Sequence, residues 1–455
     1  MKVVSPATGE VIVDLPSDTT ASVAQKFIRA KEAQPLWWKT PLTERKNRIK
    51  KFGDLIQSRK EELSRILTQE MGKPISQSRN EISAVTERID FMLENCDHVM
   101  RREHVLDGST CEEIQKEALG VIANISAWNY PYFIGVNVFV PALLTGNCVL
   151  YKPSEYTSLT GLEIAKMMKE VGIAEGVFTA VIGDGTIGDA ILTQPIDGLF
   201  FTGSIGTGKT IVEKLAKRLI QLQLELGGKD PVYVCEDADI KNSAASLAEG
   251  AMYNSGQSCC SVERIYVQEK ILGPFLVAFL ESVGGFRLGD PMHERTTMGP
   301  LAREGQISFL EEQVHDALAK GAKLLCGGRR VERRYFEPTV LTDVNHSMRV
   351  MTEESFGPII GIQKVRGDEE AIGLMNDSSY GLTAGVYTGD EKRARAILSQ
   401  VAAGSVYWNC CDRVSPRLPW SARKESGVGC TSSCYGIQSF LRLKSWHLRK
   451  AVTKY

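Results

Sequence analysis

A thiol, a carboxylate and an amide stand in three separate stretches of the chain, each where its type could do chemistry. Cys259 lies in Asn254-Ser255-Gly256-Gln257-Ser258-Cys259-Cys260, a polar, glycine-containing loop between a helical stretch and the strand-like Glu263-Arg264-Ile265-Tyr266-Val267. A loop thiol of that kind is open to act as a nucleophile, whereas most free cysteines are small buried hydrophobes. Glu225 falls in Gln221-Leu222-Gln223-Leu224-Glu225-Leu226-Gly227-Gly228, where apolar and polar residues alternate and place the carboxylate on the polar face at a strand's end. The two glycines admit close approach, and partial burial would raise the carboxyl pKa toward that of a general base; an ordinary surface glutamate fits the same pattern. Asn129, in Ile125-Ser126-Ala127-Trp128-Asn129-Tyr130-Pro131, is either a turn former or a side-chain donor to a developing oxyanion.

A fourth stretch, Phe201-Thr202-Gly203-Ser204-Ile205-Gly206-Thr207-Gly208-Lys209-Thr210, follows an apolar run and opens a helical one. Gly203 to Thr210 fits the P-loop pattern, in which backbone N–H groups cradle nucleotide phosphates and Lys209 reaches the terminal ones. The same residues suit a dinucleotide pyrophosphate resting on a helix N-terminus. A nucleotide-hydrolysing loop normally follows the first strand of its domain and needs a magnesium-binding acid nearby. This one comes after at least three strands, with Glu236 and Asp237 the nearest acids.

The elements that must position these residues are legible from Leu119 onward. Apolar runs at 119–125, 147–151, 178–182, 198–202 and 219–224 alternate, after the second run, with helical stretches at 157–171, 186–193 and 207–218. That order predicts a parallel sheet with right-handed crossovers, whose ligand lies at the carboxyl ends of the strands. A second series has strands at 231–235, 264–268, 359–364 and 383–388 and helices at 239–254, 304–320 and 390–400, with the boundary near Gly227-Gly228. Residues 17–103 read as helices with solvated charged faces. The polar piece at 104–119 suits a hairpin, and the tail from 439 to 450 alternates roughly at Leu441, Leu443 and Trp446.

The bulk numbers narrow the function classes. With 455 residues the chain exceeds one core and holds two or three domains. Its 54 basic and 55 acidic side chains leave no overall field to attract nucleic acid or an anionic membrane. No apolar run reaches the ~18 residues of a membrane span. Eleven cysteines, two pairs of them adjacent (Cys259-Cys260 and Cys410-Cys411), point to a reduced, cytoplasmic setting; none has zinc-site spacing, so no metal is expected.

Taken together, in order and spacing, these stretches resemble the aldehyde dehydrogenase superfamily over nearly the whole chain. The resemblance rests on Trp128 to Pro131, Lys152-Pro153-Ser154-Glu155, Phe201 to Ser204, Glu225 to Gly228, Gly256 to Cys259, Glu353-Glu354-Ser355-Phe356-Gly357-Pro358 and Lys424-Glu425-Ser426-Gly427-Val428-Gly429. It implies an α/β fold: a Rossmann-type NAD(P)-binding domain at 1–103 and 120–227, an α/β catalytic domain at 228–438, and a small β oligomerisation element at 104–119 and 439–455. It further implies oxidation of an aldehyde through a thioester on Cys259, with Asn129 in the oxyanion hole and Glu225 activating the hydrolytic water.

For the cofactor, the resemblance implies that Lys152 and Glu155 meet the adenosine ribose, Ser204 the pyrophosphate, and Glu354 and Phe356 the nicotinamide ribose and ring. It adds Ile125, Trp128, Ser154, Gly188, Phe201, Gly203 and Leu226 to that cleft. A carboxylate at Glu155 accepts from a ribose 2′-OH and repels a 2′-phosphate, so NAD is expected over NADP, with NADP still usable. For the substrate it implies Tyr130, Tyr253, Cys260 and Trp420. The aromatic three match positions where relatives acting on betaine aldehyde or aminoaldehydes hold an ammonium by cation–π attraction, although Asn137 stands where those relatives have tryptophan. The competing substrate is a semialdehyde whose carboxylate would pair with Arg413 or Arg417. Pro419-Trp420-Ser421-Ala422 departs from the family's Pro-Phe-Gly-Gly at the substrate entrance. Cys260 is expected as a packed bystander. The family's pairing through a hairpin and a C-terminal strand implies a homodimer or homotetramer. A P-loop hydrolase and a catalytically silent structural relative are the alternatives.

Overall fold

The structure is a computed structural model that describes residues 1–108 and 110–449; residues 109 and 450–455, which fall in the two segments expected to form the oligomerisation element, lie outside the described residues. The five expected strands of the first series form Val121–Ile125, Cys148–Lys152, Phe178–Ala180, Gly198–Thr202 and Gln221–Glu225, all parallel. Cys148–Lys152 is buried along its whole length, which is why it reads as an unbroken apolar run rather than an alternation.

Spatial order is what makes the site. From Val121–Ile125 the chain steps outward to Cys148–Lys152 and Phe178–Ala180, then crosses back to Gly198–Thr202 on the other side of the first strand. At that reversal the crossovers leave in opposite directions and open a crevice beyond Ile125 and Thr202.

Helices Leu42–Ser58 and Ile75–Met100, at the heart of the charged N-terminal region, bury Phe52 and Ile89 in the same hydrophobic cluster as Ile122 and Val149 of the sheet. The helix Pro131–Leu144 in that cluster was not expected. It is apolar on nearly all sides and so shows no amphipathic contrast, while Pro131 fits its first turn. Leu272–Val283 is a further helix beyond the expected ones; its sequence, Leu-Gly-Pro-Phe-Leu-Val-Ala-Phe-Leu-Glu-Ser-Val, is also dominated by apolar residues.

Asp230–Val234, Val262–Gln268, Ile359–Val365 and Thr383–Tyr387 form the centre of a seven-stranded sheet, flanked by Thr339–Thr342 and an antiparallel edge, Lys323–Cys326, on one side and by Ser405–Trp408 on the other. The flanking strands are four residues each, too short to reveal an alternation.

Two late segments return to the first half of the chain. Gly427–Val428 pairs antiparallel with the end of Gln221–Glu225, setting Gly427 opposite Glu225. Leu441–Arg449 pairs along Thr110–Ala118, which pairs in turn with Glu103–Leu106. Among the described residues no helix is long and apolar enough to cross a membrane.

Candidate active site

Cys259 sits just past a strained loop. Asn254, Ser255 and Gly256 all adopt positive φ (52°, 55° and 69°), a run of left-handed residues that only surrounding contacts can hold. Gln257 provides several: its Nε2 donates to the Asn254 carbonyl at 3.1 Å and its Oε1 accepts from the Ala302 N–H at 2.9 Å. Gly256 lies so close to the Gly357 carbonyl that a Cβ there would collide with it. The cysteine loop therefore rests on the Glu353–Pro358 stretch.

The same closeness joins the glutamate stretch. A Cβ on Gly228 would lie 2.5 Å from the Cys259 carbonyl oxygen, and one on Gly227 would strike the Glu354 carboxylate. Only glycine lets the three stretches meet. Asn129 completes the set by donating from Nδ2 to the Gln257 carbonyl at 3.2 Å, which leaves its second amide hydrogen for another acceptor.

Glu225 is 8% exposed. Its Oε1 accepts from Gln223 Nε2 at 3.2 Å, while Oε2 is buried without a hydrogen-bond partner. Burial pushes its pKa up to about 8, against the weaker pull of Gln223 and the nearby Thr431 hydroxyl. A carboxyl with that pKa and an unused oxygen is suited to take a proton near neutrality.

The chain around these groups is held by buried ion pairs between residues that read as ordinary charges in the sequence. Lys73 and Glu81, both almost wholly buried, pair with each other. Lys73 also donates to the Asn129 carbonyl, and Glu81 Oε1 accepts from the Tyr132 N–H at 3.0 Å, fixing the entry of the Pro131–Leu144 helix. Lys229 and Glu263 form a second pair at 2.6 Å. Glu263 accepts from the N–H groups of Ser355 and Phe356 at 2.7 and 2.9 Å, which holds Phe356 at a φ of 47°.

The residues expected to line a cofactor cleft gather at the carboxyl ends of the first sheet. Ile125, Lys152 and Phe201 lie side by side in register. Ser204 caps the helix Ile205–Leu215, accepting from the Thr207 N–H, and a Cβ at Gly206 would meet only open space. Gly188 faces Lys152, whose ammonium is 3.9 Å from Glu155 Oε2 and whose pKa burial lowers. Ser154 Oγ donates to the same carboxylate at 3.3 Å.

From the opposite side, Phe356 meets Trp128 edge to face at 5.4 Å between ring centroids, and Glu354 Oε1 accepts from the Gly228 N–H at 3.0 Å. Burial and the neighbouring Glu263 raise the Glu354 pKa to about 8. Phe201 and Leu226 are buried beneath the cleft, against Gly203 and Gly208. A dinucleotide fits this set: a helix N-terminus for phosphate, a carboxylate for ribose and an aromatic wall.

The phosphate-hydrolysing alternative finds no cradle. Only Gly203 and Ser204 separate the strand from the helix, and Lys209 is turned to Glu425, 2.7 Å away. Among the described residues no group of three or more His, Cys, Asp or Glu is placed to hold a metal ion.

A cavity of about 590 Å³ has Cys259 in its lining. Tyr130, Tyr253, Cys260 and Trp420, all expected at the substrate, line it, as do Asn129, Asn137 and Arg413. Cys260 is 5% exposed, packs with Leu382 and Trp420, and donates from Sγ to Asp412 Oδ1 at 2.9 Å. Contact with the Cys259 thiol, burial and Asp412 hold its pKa well above the usual thiol value. Arg417 is instead paired with Glu87 at the surface. The atypical Trp420-Ser421 segment forms a short strand against Cys430–Thr431.

The chain is similar to known proteins along nearly its whole length. The model of the aldehyde dehydrogenase family matches residues 1–446. A betaine aldehyde dehydrogenase of Brucella anthropi is 32% identical over 451 residues, covering 97% of this chain and 92% of its own. The crystal structure of lactaldehyde dehydrogenase from Escherichia coli superposes with a TM-score of 0.96 at 32% identity, over 99% of this chain and 96% of that one. That of Staphylococcus aureus betaine aldehyde dehydrogenase in complex with NAD+ does so at 0.95 and 29% identity, over 100% and 93%. With the cysteine loop packed through Gly228 and Gly256 against the stretches that hold Glu225 and Glu354, and with this likeness along its length, the chain belongs to the aldehyde dehydrogenase family.

Proposed function

We propose that the protein oxidises a small semialdehyde or aminoaldehyde to its carboxylic acid with NAD, or less readily NADP, through a thioester on Cys259. The observation that carries this reading is that Cys259 and Asn129 line one cavity while the Gly227-Gly228 pair next to Glu225 packs against the Cys259 backbone and Glu354. The Cys259 thiolate adds to the aldehyde carbon, and Asn129 Nδ2 with the Cys259 N–H stabilises the oxyanion. When bound, the nicotinamide cofactor supplies the hydride acceptor that the oxidation needs. Glu225 then takes a proton from the water that attacks the thioester, and the thiol is restored as the acid leaves. Lys152, Ser154, Glu155, Gly188 and Ser204 would hold the adenosine half of the cofactor, and Trp128, Glu354 and Phe356 the nicotinamide half.

The division into a cofactor domain at 1–103 and 120–227, a catalytic domain at 228–438 and a β element from the hairpin and tail belongs to the same proposal. So does a homodimer or homotetramer, supported by the open edge of Leu441–Arg449 and by Leu443, 71% exposed on it. Purified protein should reduce NAD in the presence of an aldehyde, and Cys259→Ala should lower that rate at least about a thousandfold while NAD still binds. Equal rates in both would remove Cys259 from the reaction.

A further inference from the structure

One buried cation of the cavity makes no ion pair among the described residues. Arg88, on the helix Ile75–Met100, is 5% exposed and lines the same cavity as Cys259. Its guanidinium donates to Asn137 Oδ1 at 3.4 Å and to the Val414 carbonyl at 3.1 Å, and its Nε has no hydrogen-bond partner. Two of five N–H donors are thus engaged, both with neutral oxygens.

Of the acids of the cavity, Glu81 pairs with Lys73 and Glu87 with Arg417, while Asp412 accepts from the neutral Cys260 thiol. Glu249 stands exposed at the rim. Burial lowers the Arg88 pKa to about 10, which leaves it charged near neutrality. Glu87 and Glu81 lie near enough to favour the charged form but neither forms an ion pair with it, so the cost of burying this cation is only partly offset.

The aromatic wall points the same way. Lys73 Nζ lies 3.8 Å from the Tyr130 ring centroid and Arg88 Cζ 4.3 Å from that of Phe133, and these two rings stack on each other at 6.0 Å. Rings already facing two protein cations are a poor cradle for a third, so an ammonium-bearing aldehyde is disfavoured.

We propose that Arg88 is a specificity-determining residue that anchors the carboxylate of an ω-oxo acid, so that the preferred substrates are short aldehydes with an anionic far end. A planar guanidinium with free donors matches a carboxylate by paired charge-assisted hydrogen bonds. Asn137 Oδ1 accepts from the guanidinium and helps hold its orientation. This rests on the aldehyde-oxidising reading of the site and gives it a substrate class.

The test compares succinate semialdehyde, its methyl ester and 4-aminobutanal on the full-length protein with NAD. The acid should exceed the ester in kcat/KM by about a hundredfold. Arg88→Met should erase that ratio through KM, and Arg88→Lys should restore part of it. A preference for the amine, or a loss in Arg88→Met shared equally by acid and ester, overturns the proposal. Binding of succinate to NAD-loaded Cys259→Ser, followed by calorimetry, separates the two readings. If no aldehyde turns over but succinate binds and Arg88→Met weakens it about a hundredfold, the anion site stands and the oxidation fails. If neutral aldehydes turn over and succinate does not bind, the oxidation stands and the anion site fails.

Discussion

The Lys73 ammonium donates to the Asn129 backbone carbonyl at 2.7 Å. The residue proposed to donate to the oxyanion is therefore held through its backbone by a buried ion pair, since Lys73 is itself held by Glu81. Lys73→Met removes the counter-charge of a carboxylate that is 2% exposed and should destabilise the protein by about 3–5 kcal/mol. Lys73→Met with Glu81→Leu should cost less than Lys73→Met alone, because no unpaired charge remains. Urea unfolding of the three proteins measures this, and a double variant weaker than the single one contradicts it.

Asn129→Ala removes one oxyanion donor and should lower kcat by about 10²–10³-fold. NAD binding, followed by fluorescence quenching, should change little because Asn129 faces the cavity side. A loss confined to KM would argue for a role in holding ground-state substrate alone.

The Glu225 carboxyl, raised to about 8 by burial, sets a pH signature. Its ionised fraction increases as pH climbs, so thioester hydrolysis should speed up to about pH 8 and level off beyond it. Glu225→Gln should flatten that limb and prolong the acyl-enzyme, as seen by quenched-flow trapping. Stability runs the other way. The folded protein retains a proton that the unfolded chain releases above 4.5, so this group's stabilising contribution is full below pH 4.5 and is lost as pH rises through about 8. Glu225→Gln should remove that part of the decline in thermal unfolding scans.

Glu155 keeps an exposed carboxylate beside the buried Lys152 ammonium. Glu155→Ala should raise kcat/KM with NADP relative to NAD by about tenfold or more, because one repulsion is gone while the cation stays. An unchanged ratio would place the 2′ position away from this residue.

What could be read before folding was whatever one segment encodes by itself. The crossover pattern from 119 to 224 needs only local periodicity, and its strands appear within a few residues of where that periodicity puts them. Cys259, Glu225 and Asn129 stood out because their flanking glycines and turn residues are local as well. Pro131–Leu144 was hidden because a helix buried on all sides has no polar face to mark its period. Lys73, Glu81 and Arg88 were illegible for a different reason: on helix-rich sequence they resemble any solvated charge, and only packing from distant segments takes away their water. The glycine contacts of Gly227, Gly228 and Gly256 are likewise relations between segments, invisible in each one alone.

The pairing of Gly427 with Glu225 also orders events in time. A chain emerging from the ribosome exposes its strand at Gln221–Glu225 long before the segment that covers it exists. Until Gly427–Val428 docks, the carboxylate stays wet and acidic, and contacts this distant in sequence form late. The surroundings that raise the Glu225 pKa are therefore complete only once two segments far apart in the chain have met.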